Sequence, residues 1–507
     1  MSVKSRAIRN TAIVSGANLL VLLIGFLLLP VLVYRIGADG YGYLAYARMF
    51  SSMGVLAIFD LGLRMAVTRS VADYHVRGDF EKIKTLLLST AWLLAAIGVS
   101  FAVLGWQFSQ EIARALVSSD DDIETMALAI KWAFATWPLE LPGMVVYGAL
   151  EGLQRFRQVK VLEILWYLLY TALAIAAVSV GYDYVVVAAI ALVLLLMKLG
   201  LATNILLNCL PKTSLSWFRL PDAAVLTRQM KLGKHIFLSQ LSSMIANQGE
   251  KLAVAILLPP AMMTGYEVLI KLPRMIKSNF ALGNQVVMPL ASELSASDDM
   301  ERNRKLLDYG MQFNLAVVVP ISVTSAYLAS PFLNAWMGAD FTYLTPLLQV
   351  LLIFNIINPL SSFGWQIMIG MNRKVHHVSM IQWLNLAVTL LIWLAFIPNY
   401  GLWGVVAAFF SIVITIPWSI RVPCCELGLP VGGVVGMFVR MVVLSIIPVA
   451  VLELIGIHDI GNAVLMLALE GVICGLAAWL LIYRWGLTEQ ARALVRGQLH
   501  KLKRWQK

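Results

Sequence analysis

Residues 185–207 read VVVAAIALVLLLMKLGLATNILL, an apolar run whose one charged residue is Lys198. About 20 residues of this kind cross the ~30 Å hydrocarbon core of a bilayer as a single helix. Outward from it, thirteen further runs share the character, at 12–34, 43–64, 85–106, 126–150, 161–180, 235–258, 265–288, 307–329, 344–371, 378–397, 403–420, 438–455 and 464–483. The pattern predicts an all-α polytopic membrane protein with 14 transmembrane helices. Composition agrees: the 507 residues are 60% apolar and 13% charged, with a mean hydropathy of +0.80. Soluble domains carry roughly 45–50% apolar and about 25% charged residues, so a large soluble domain is ruled out. Run 12–34 follows Lys4, Arg6 and Arg9. It is too long for a signal-peptide core and reads as a retained first helix.

The charge imbalance is a matter of sidedness. The formal net charge is +11, and short cytoplasmic loops concentrate Lys and Arg. The N-terminus, the even-numbered connections and the tail hold 29 basic residues, whereas the odd-numbered connections hold only Arg35 and Arg114. Both termini are therefore expected in the cytoplasm, with nucleic acid excluded as the reason for the charge. The external connections, of which 107–125 is the longest, are too short for a catalytic domain. The expected division is a cytoplasmic N-terminus over 1–10, a six-helix bundle over 11–210, a linker over 211–234, a second six-helix bundle over 235–421, two further helices over 422–483 and a basic amphipathic tail over 484–507. Cys209, Cys424, Cys425 and Cys474 fall in cytoplasmic or membrane segments, where no disulfide framework is expected. Gly233-Lys234 lacks the glycines and the Ser/Thr of a phosphate-binding loop, and His376-His377 lacks partner ligands, so neither ATP hydrolysis nor a metal or other cofactor is expected.

The chain is in register with itself. At an offset of 223, Gly42-Tyr43 falls on Gly265-Tyr266 and Arg48 on Lys271; at 218, Gly152-Leu153-Gln154-Arg155 falls on Gly370-Met371-Asn372-Arg373. Helices 1–6 and 7–12 then read as two parallel six-helix repeats, an arrangement that sets a cavity between bundles able to rock, with helices 13 and 14 appended.

Eight basic residues lie within or at the edges of spans: Arg48, Lys131, Lys198, Lys251, Lys271, Arg274, Lys277 and Arg440. A charge at the bilayer centre costs at least about 2.5–3.5 kcal/mol, so such groups usually face a polar interior. At 100° per residue, Glu267, Lys271, Arg274 and Lys277 fall within ~120° of arc on helix 8. Helix 7 gathers Gln240, Ser243, Asn247, Glu250 and Lys251 on one side, and the first half offers Arg48, Lys131 and Glu140. Helix packing alone would pair Glu267 with Lys271 and Glu250 with Lys277 or Arg274. Three cations against one acid on the helix 8 stripe favour instead a cavity that accepts an anion. Asp60 and Arg64 read as a packing pair four residues apart, and Lys198 and Arg440 are expected to snorkel to the cytoplasmic surface. Pro138, Pro142 and Pro359 should kink their helices, Gly432-Gly433-Val434-Val435-Gly436 carries a helix-contact spacing, and Leu487, Ala491, Leu494 and Leu502 suggest a tail lying on the membrane.

With short external loops and no nucleotide motif, transport is the remaining class. Gly37-Ala38-Asp39-Gly40-Tyr41-Gly42-Tyr43, Phe59-Asp60-Leu61-Gly62-Leu63, the Gly-x-x-Arg turns at 152 and 370, and Gly401-Leu402-Trp403-Gly404 together resemble the polysaccharide transporters of the multidrug/oligosaccharidyl-lipid/polysaccharide (MOP) superfamily, in particular the O-antigen (Wzx-type) flippases. The resemblance implies 12 core helices in two bundles plus two more, residence in the bacterial inner membrane, and an undecaprenyl-diphosphate-linked oligosaccharide as substrate. It also implies polysaccharide polymerase and chain-length regulator partners. Arg48, Asn247, Lys251, Lys271, Arg274 and Lys277 are then candidates for the headgroup. Relatives often carry an acid in mid-helix 7, where this chain has Asn247-Gln248-Gly249-Glu250-Lys251, so H⁺ or Na⁺ coupling is expected at Glu250, Glu267 or Glu140. A lipid II flippase and a drug/cation antiporter of the same superfamily are the alternatives. A glycan polymerase or ligase is disfavoured by the short loops.

Overall fold

The computed structural model describes residues 3–51, 63–117, 120–210, 221–227, 245, 249–284, 287–296, 299–371, 373–455 and 463–496. Among them every regular element is helical, as it must be where no water satisfies backbone groups, and ten helices are long and apolar enough to span a membrane. The other four expected spans differ for physical reasons. Two of them, 43–64 and 235–258, run into residues outside those described. The fourth breaks at Thr136, where Pro138 cannot continue the hydrogen-bond ladder, into α5 (Asp120–Ala135) and α6 (Trp137–Gly152). The eighth, α10 (Pro260–Asn284), carries four charged residues.

The chain divides into two compact units, Met1–Tyr266 with Ile397–Gly401, and Glu267–Phe396 with Leu402–Lys507. In the first, α1 (Val3–Met49) bends at Gly37, whose φ of 77° favours a residue without a β-carbon. α2 (Leu63–Arg77), α3 (Phe80–Gln107), α7 (Phe156–Ser179) and α8 (Tyr184–Cys209) complete the bundle around α6, with a helical stretch at 249–257 (α9). Pro142 stays inside α6 without ending it. Leu29, Leu32, Ile83, Leu94, Val145 and Ala174 are buried, while Val103, Leu165, Val193 and Leu196 point outward as lipid-facing residues should.

After α11 (Val287–Ala296), the second unit packs Leu307, Met311 and Leu315 of α12 (Met300–Tyr327) against Ile356, Leu360 and Phe363 of α14 (Thr345–Gly370). α15 (Val375–Tyr400), α16 (Leu402–Ala407), α17 (Phe410–Glu426), α18 (Val431–Ile455) and α19 (Ala463–Leu481) follow. The expected external loops at 107–125 and 330–343 contain short helices instead: α4 (Ser109–Leu116), which buries Ala113 and Leu116, and α13 (Ala329–Met337), which buries Ala329 and Leu333.

The two units repeat one order of elements. α3, α4, α7 and α8 of the first have counterparts of similar length in α12, α13, α15 and the α16–α17 pair of the second. The turns after α6 and α14 are made alike. Arg155 N–H donates to Leu150 C=O and Leu153 N–H to Ala149 C=O, while 218 positions later Arg373 N–H donates to Met368 C=O and Met371 N–H to Ile367 C=O.

Two peripheral expectations are corrected. Nothing among the described residues lies within 4 Å of a β-carbon built at Gly432 or Gly436, so that spacing seats no neighbouring helix among them. The start of the tail is docked into the second unit. Leu487 and Ala491 are buried in its core, and Thr488 N–H and Oγ donate to the Gln312 side-chain oxygen at 3.1 and 3.0 Å. Leu494 is exposed, and Leu502 lies outside the described residues.

Candidate functional site

A polar tract runs inside the first unit, and α7 supplies much of it. Lys160, Glu163, Tyr167 and Tyr170 recur at spacings of three and four, which aligns them on one helix face. Lys160, Glu163 and Tyr167, together with α6, α8 and Arg64 of α2, line a cavity of about 290 Å³, walled among others by Glu140, Tyr147, Trp166 and Lys198. Its charges are largely matched. Arg64 pairs with Glu151 at 2.6 Å, and Lys160 pairs with Glu163 at 2.6 Å while donating to Asn18 Oδ1 at 3.0 Å. Asp60, expected beside Arg64, lies outside the described residues.

Lys198 does not reach for the surface. Its ammonium lies 5.0 Å from the Tyr147 ring centroid and 5.5 Å from that of Trp166, where the electron-rich faces offset part of its lost hydration. This departs from the snorkelling expected of it.

A smaller pocket of about 50 Å³ adjoins the cavity, with Glu140 and Trp166 in the walls of both. Arg48 lines it. The guanidinium donates to Tyr170 Oη at 2.6 Å and sits 5.3 Å from the Tyr170 ring centroid, and Trp166 stacks on Tyr170 at 5.2 Å with 5° between planes. Arg48 is thus held by an aromatic clamp that leaves it lining the pocket. Glu140 stands in the first turn of α6, where its carboxylate accepts from Thr136 Oγ at 3.3 Å. Lys131 is apart from both cavities, 5.5 Å from the Trp106 ring centroid.

Of the remaining candidates, Glu250 is buried and Lys251 half-buried on α9, and Asn247 lies outside the described residues. Glu267, Lys271 and Arg274 are half-buried along the part of α10 that belongs to the second unit, and Lys277 is exposed there. Lys160, Glu163, Tyr167 and Trp166 were not among the sequence candidates. Their signal was present, as a polar and aromatic stripe on an otherwise apolar helix, but charge near a span end reads equally well as a surface residue. Among the described residues no group of His, Cys, Asp and Glu could hold a metal ion.

The polysaccharide biosynthesis protein family matches the chain over residues 7–295. No curated protein sequence matches it. Among solved structures, the fold is similar to that of a lipid II flippase, MurJ, in an inward closed conformation, with a TM-score of 0.70 at 15% identity over 94% of this chain and 99% of that one. It is also similar to an outward-facing MATE multidrug resistance transporter of the MOP superfamily (TM-score 0.58, 12% identity, 83% of this chain and 95% of that one). A MOP superfamily transporter from Pyrococcus furiosus matches to a like degree (TM-score 0.57, 14% identity, 83% and 95%). A multi-pass helical chain with charge sequestered inside its bundle, matched over more than half its length by one family and folded as the MOP transporters are, belongs to the polysaccharide biosynthesis protein family.

Proposed function

We propose that this protein is a flippase that moves an undecaprenyl-diphosphate-linked oligosaccharide across the bacterial inner membrane by alternating access, with both termini in the cytoplasm. The carrying observation is the ionic, aromatic-walled tract inside a bundle of lipid-facing helices, in a chain of a polysaccharide family. A polar headgroup needs such a path, because each uncompensated charge in hydrocarbon costs several kcal/mol, while the isoprenoid tail stays in lipid. Arg48, Lys251, Lys271, Arg274 and Lys277, with Asn247, are the candidates for holding the diphosphate. A headgroup with two negative charges leaving a negative interior gains roughly 4–5 kcal/mol across ~100 mV. Exchange of H⁺ or Na⁺ at Glu140, Glu250 or Glu267 is the alternative source of drive. A polysaccharide polymerase and a chain-length regulator are the partners that would receive the product.

Lipid II is the second reading, supported by fold likeness to MurJ alone. A drug/cation antiporter would need unpaired acids, whereas the helix 8 stripe bears three cations to one acid. In a strain lacking the native gene, Lys271→Gln with Arg274→Gln should cut surface polysaccharide at least about tenfold, the equivalent of ~1.4 kcal/mol. Normal surface polysaccharide, with the double variant present in the membrane at wild-type level, would remove these residues from the path. Restored peptidoglycan synthesis in cells depleted of their lipid II flippase, without restored surface polysaccharide, would move the substrate to lipid II.

A further inference from the structure

We propose that the cavity between α6, α7 and α8 is a saccharide subsite, where one sugar of the translocated glycan seats against Tyr147 and Trp166 while its hydroxyls bond to Glu140, Glu163 and Lys198. The inference rests on the flippase reading and names which part of the substrate this cavity takes.

The wall chemistry decides between the parts of a lipid-linked glycan. A diphosphate wants uncompensated cations, but here Arg64 is matched by Glu151 and Lys160 by Glu163, each at 2.6 Å, and Glu140 and Glu163 would repel it. An isoprenoid tail would strip water from these ions and return no hydrogen bonds. A sugar ring suits all the surfaces at once. Its C–H groups pack against the parts of the Tyr147 and Trp166 rings that line the cavity beside Lys198, and each hydroxyl both donates to a carboxylate and accepts from an ammonium.

The volume of about 290 Å³ lies near the lower end of small-molecule sites, fitting a small group in place of a whole oligosaccharide.

The test reads binding separately from transport. The full chain in lipid nanodiscs is presented with methyl glycosides of a neutral hexose, an N-acetylhexosamine and a hexuronic acid, and saturation-transfer NMR records ring-proton contact. We expect transfer to at least one neutral glycoside, weakened about fivefold or more in Trp166→Ala and in Glu163→Gln, as loss of ~1 kcal/mol would give. Lys198→Gln keeps both rings and loses only the ammonium, and should weaken transfer about twofold or more even if Trp166→Ala does not fold. Excess inorganic pyrophosphate should leave the signal unchanged. Absence of transfer to any neutral glycoside overturns the subsite, as does transfer unaltered by the variants, and displacement by pyrophosphate would make the cavity an anion site. Failure of the flippase reading looks different. Wild-type protein that binds glycosides but does not move lipid-linked oligosaccharide in vesicles, or that accumulates free radiolabelled glycoside, overturns that reading while the binding result stands.

Discussion

At the level of single residues, the first unit treats its cations in three ways. Arg64 and Lys160 have carboxylates at contact distance, Lys198 rests on ring faces, and Arg48 is clamped by a phenol that it also touches face-on. A hydrogen bond to a charged donor contributes about 1.5–3 kcal/mol, so the clamp fixes where the guanidinium points. Tyr170→Phe keeps the ring and deletes the acceptor. It should lower initial rates of lipid-linked oligosaccharide flipping in proteoliposomes about tenfold while leaving the thermal midpoint within a few degrees of wild type. An unchanged rate would mean that Arg48 needs no positioning. The value of Arg48 as a candidate was legible from its place in an apolar run. Its partner was not, because 122 residues separate it from Tyr170 and only packing of α1 against α7 brings them together.

Among elements, close helix approach is bought with missing side chains at particular crossings. A β-carbon at Gly98 of α3 would lie 2.6 Å from the Trp137 carbonyl oxygen and 2.9 Å from Pro138 Cα, both backbone atoms that cannot swing aside. Gly98→Ala should therefore cost about 1–3 kcal/mol, measured as a lower thermal midpoint in detergent. Gly200→Ala on α8, with nothing within 4 Å of the added carbon, should be neutral or stabilising by up to about 1 kcal/mol and serves as the control. Equal effects at the two sites would refute the crossing argument. The same crossing holds the break in the fourth span. Trp137 is almost fully buried and its indole N–H donates to the Phe50 carbonyl, so the restart of the helix at 137 is fixed by tertiary contact as well as by Pro138. Proline alone does not specify a break, since Pro359 is carried inside an unbroken α14.

For the whole molecule, the arrangement of basic residues makes a prediction of sidedness. On a cysteine-free background, Tyr182→Cys in the short turn after α7 should react with a membrane-impermeant maleimide in intact spheroplasts. Arg155→Cys, in the turn after α6, should react only after permeabilisation. The reverse pattern would invert the topology and with it the direction of transport. The fold class was written in the sequence because a bilayer admits so few solutions: long apolar runs must be helices, and Lys and Arg mark their cytoplasmic ends. The likeness of the turns after α6 and α14 was legible there too, in Gly152-Leu153-Gln154-Arg155 and Gly370-Met371-Asn372-Arg373. What only the tertiary structure decided is which charges share a cavity and which are already matched. Charge balance in the cavity depends on residues tens of positions apart, such as Arg64 and Glu151, and a bilayer constrains the length and direction of a helix far more tightly than its rotation about its own axis.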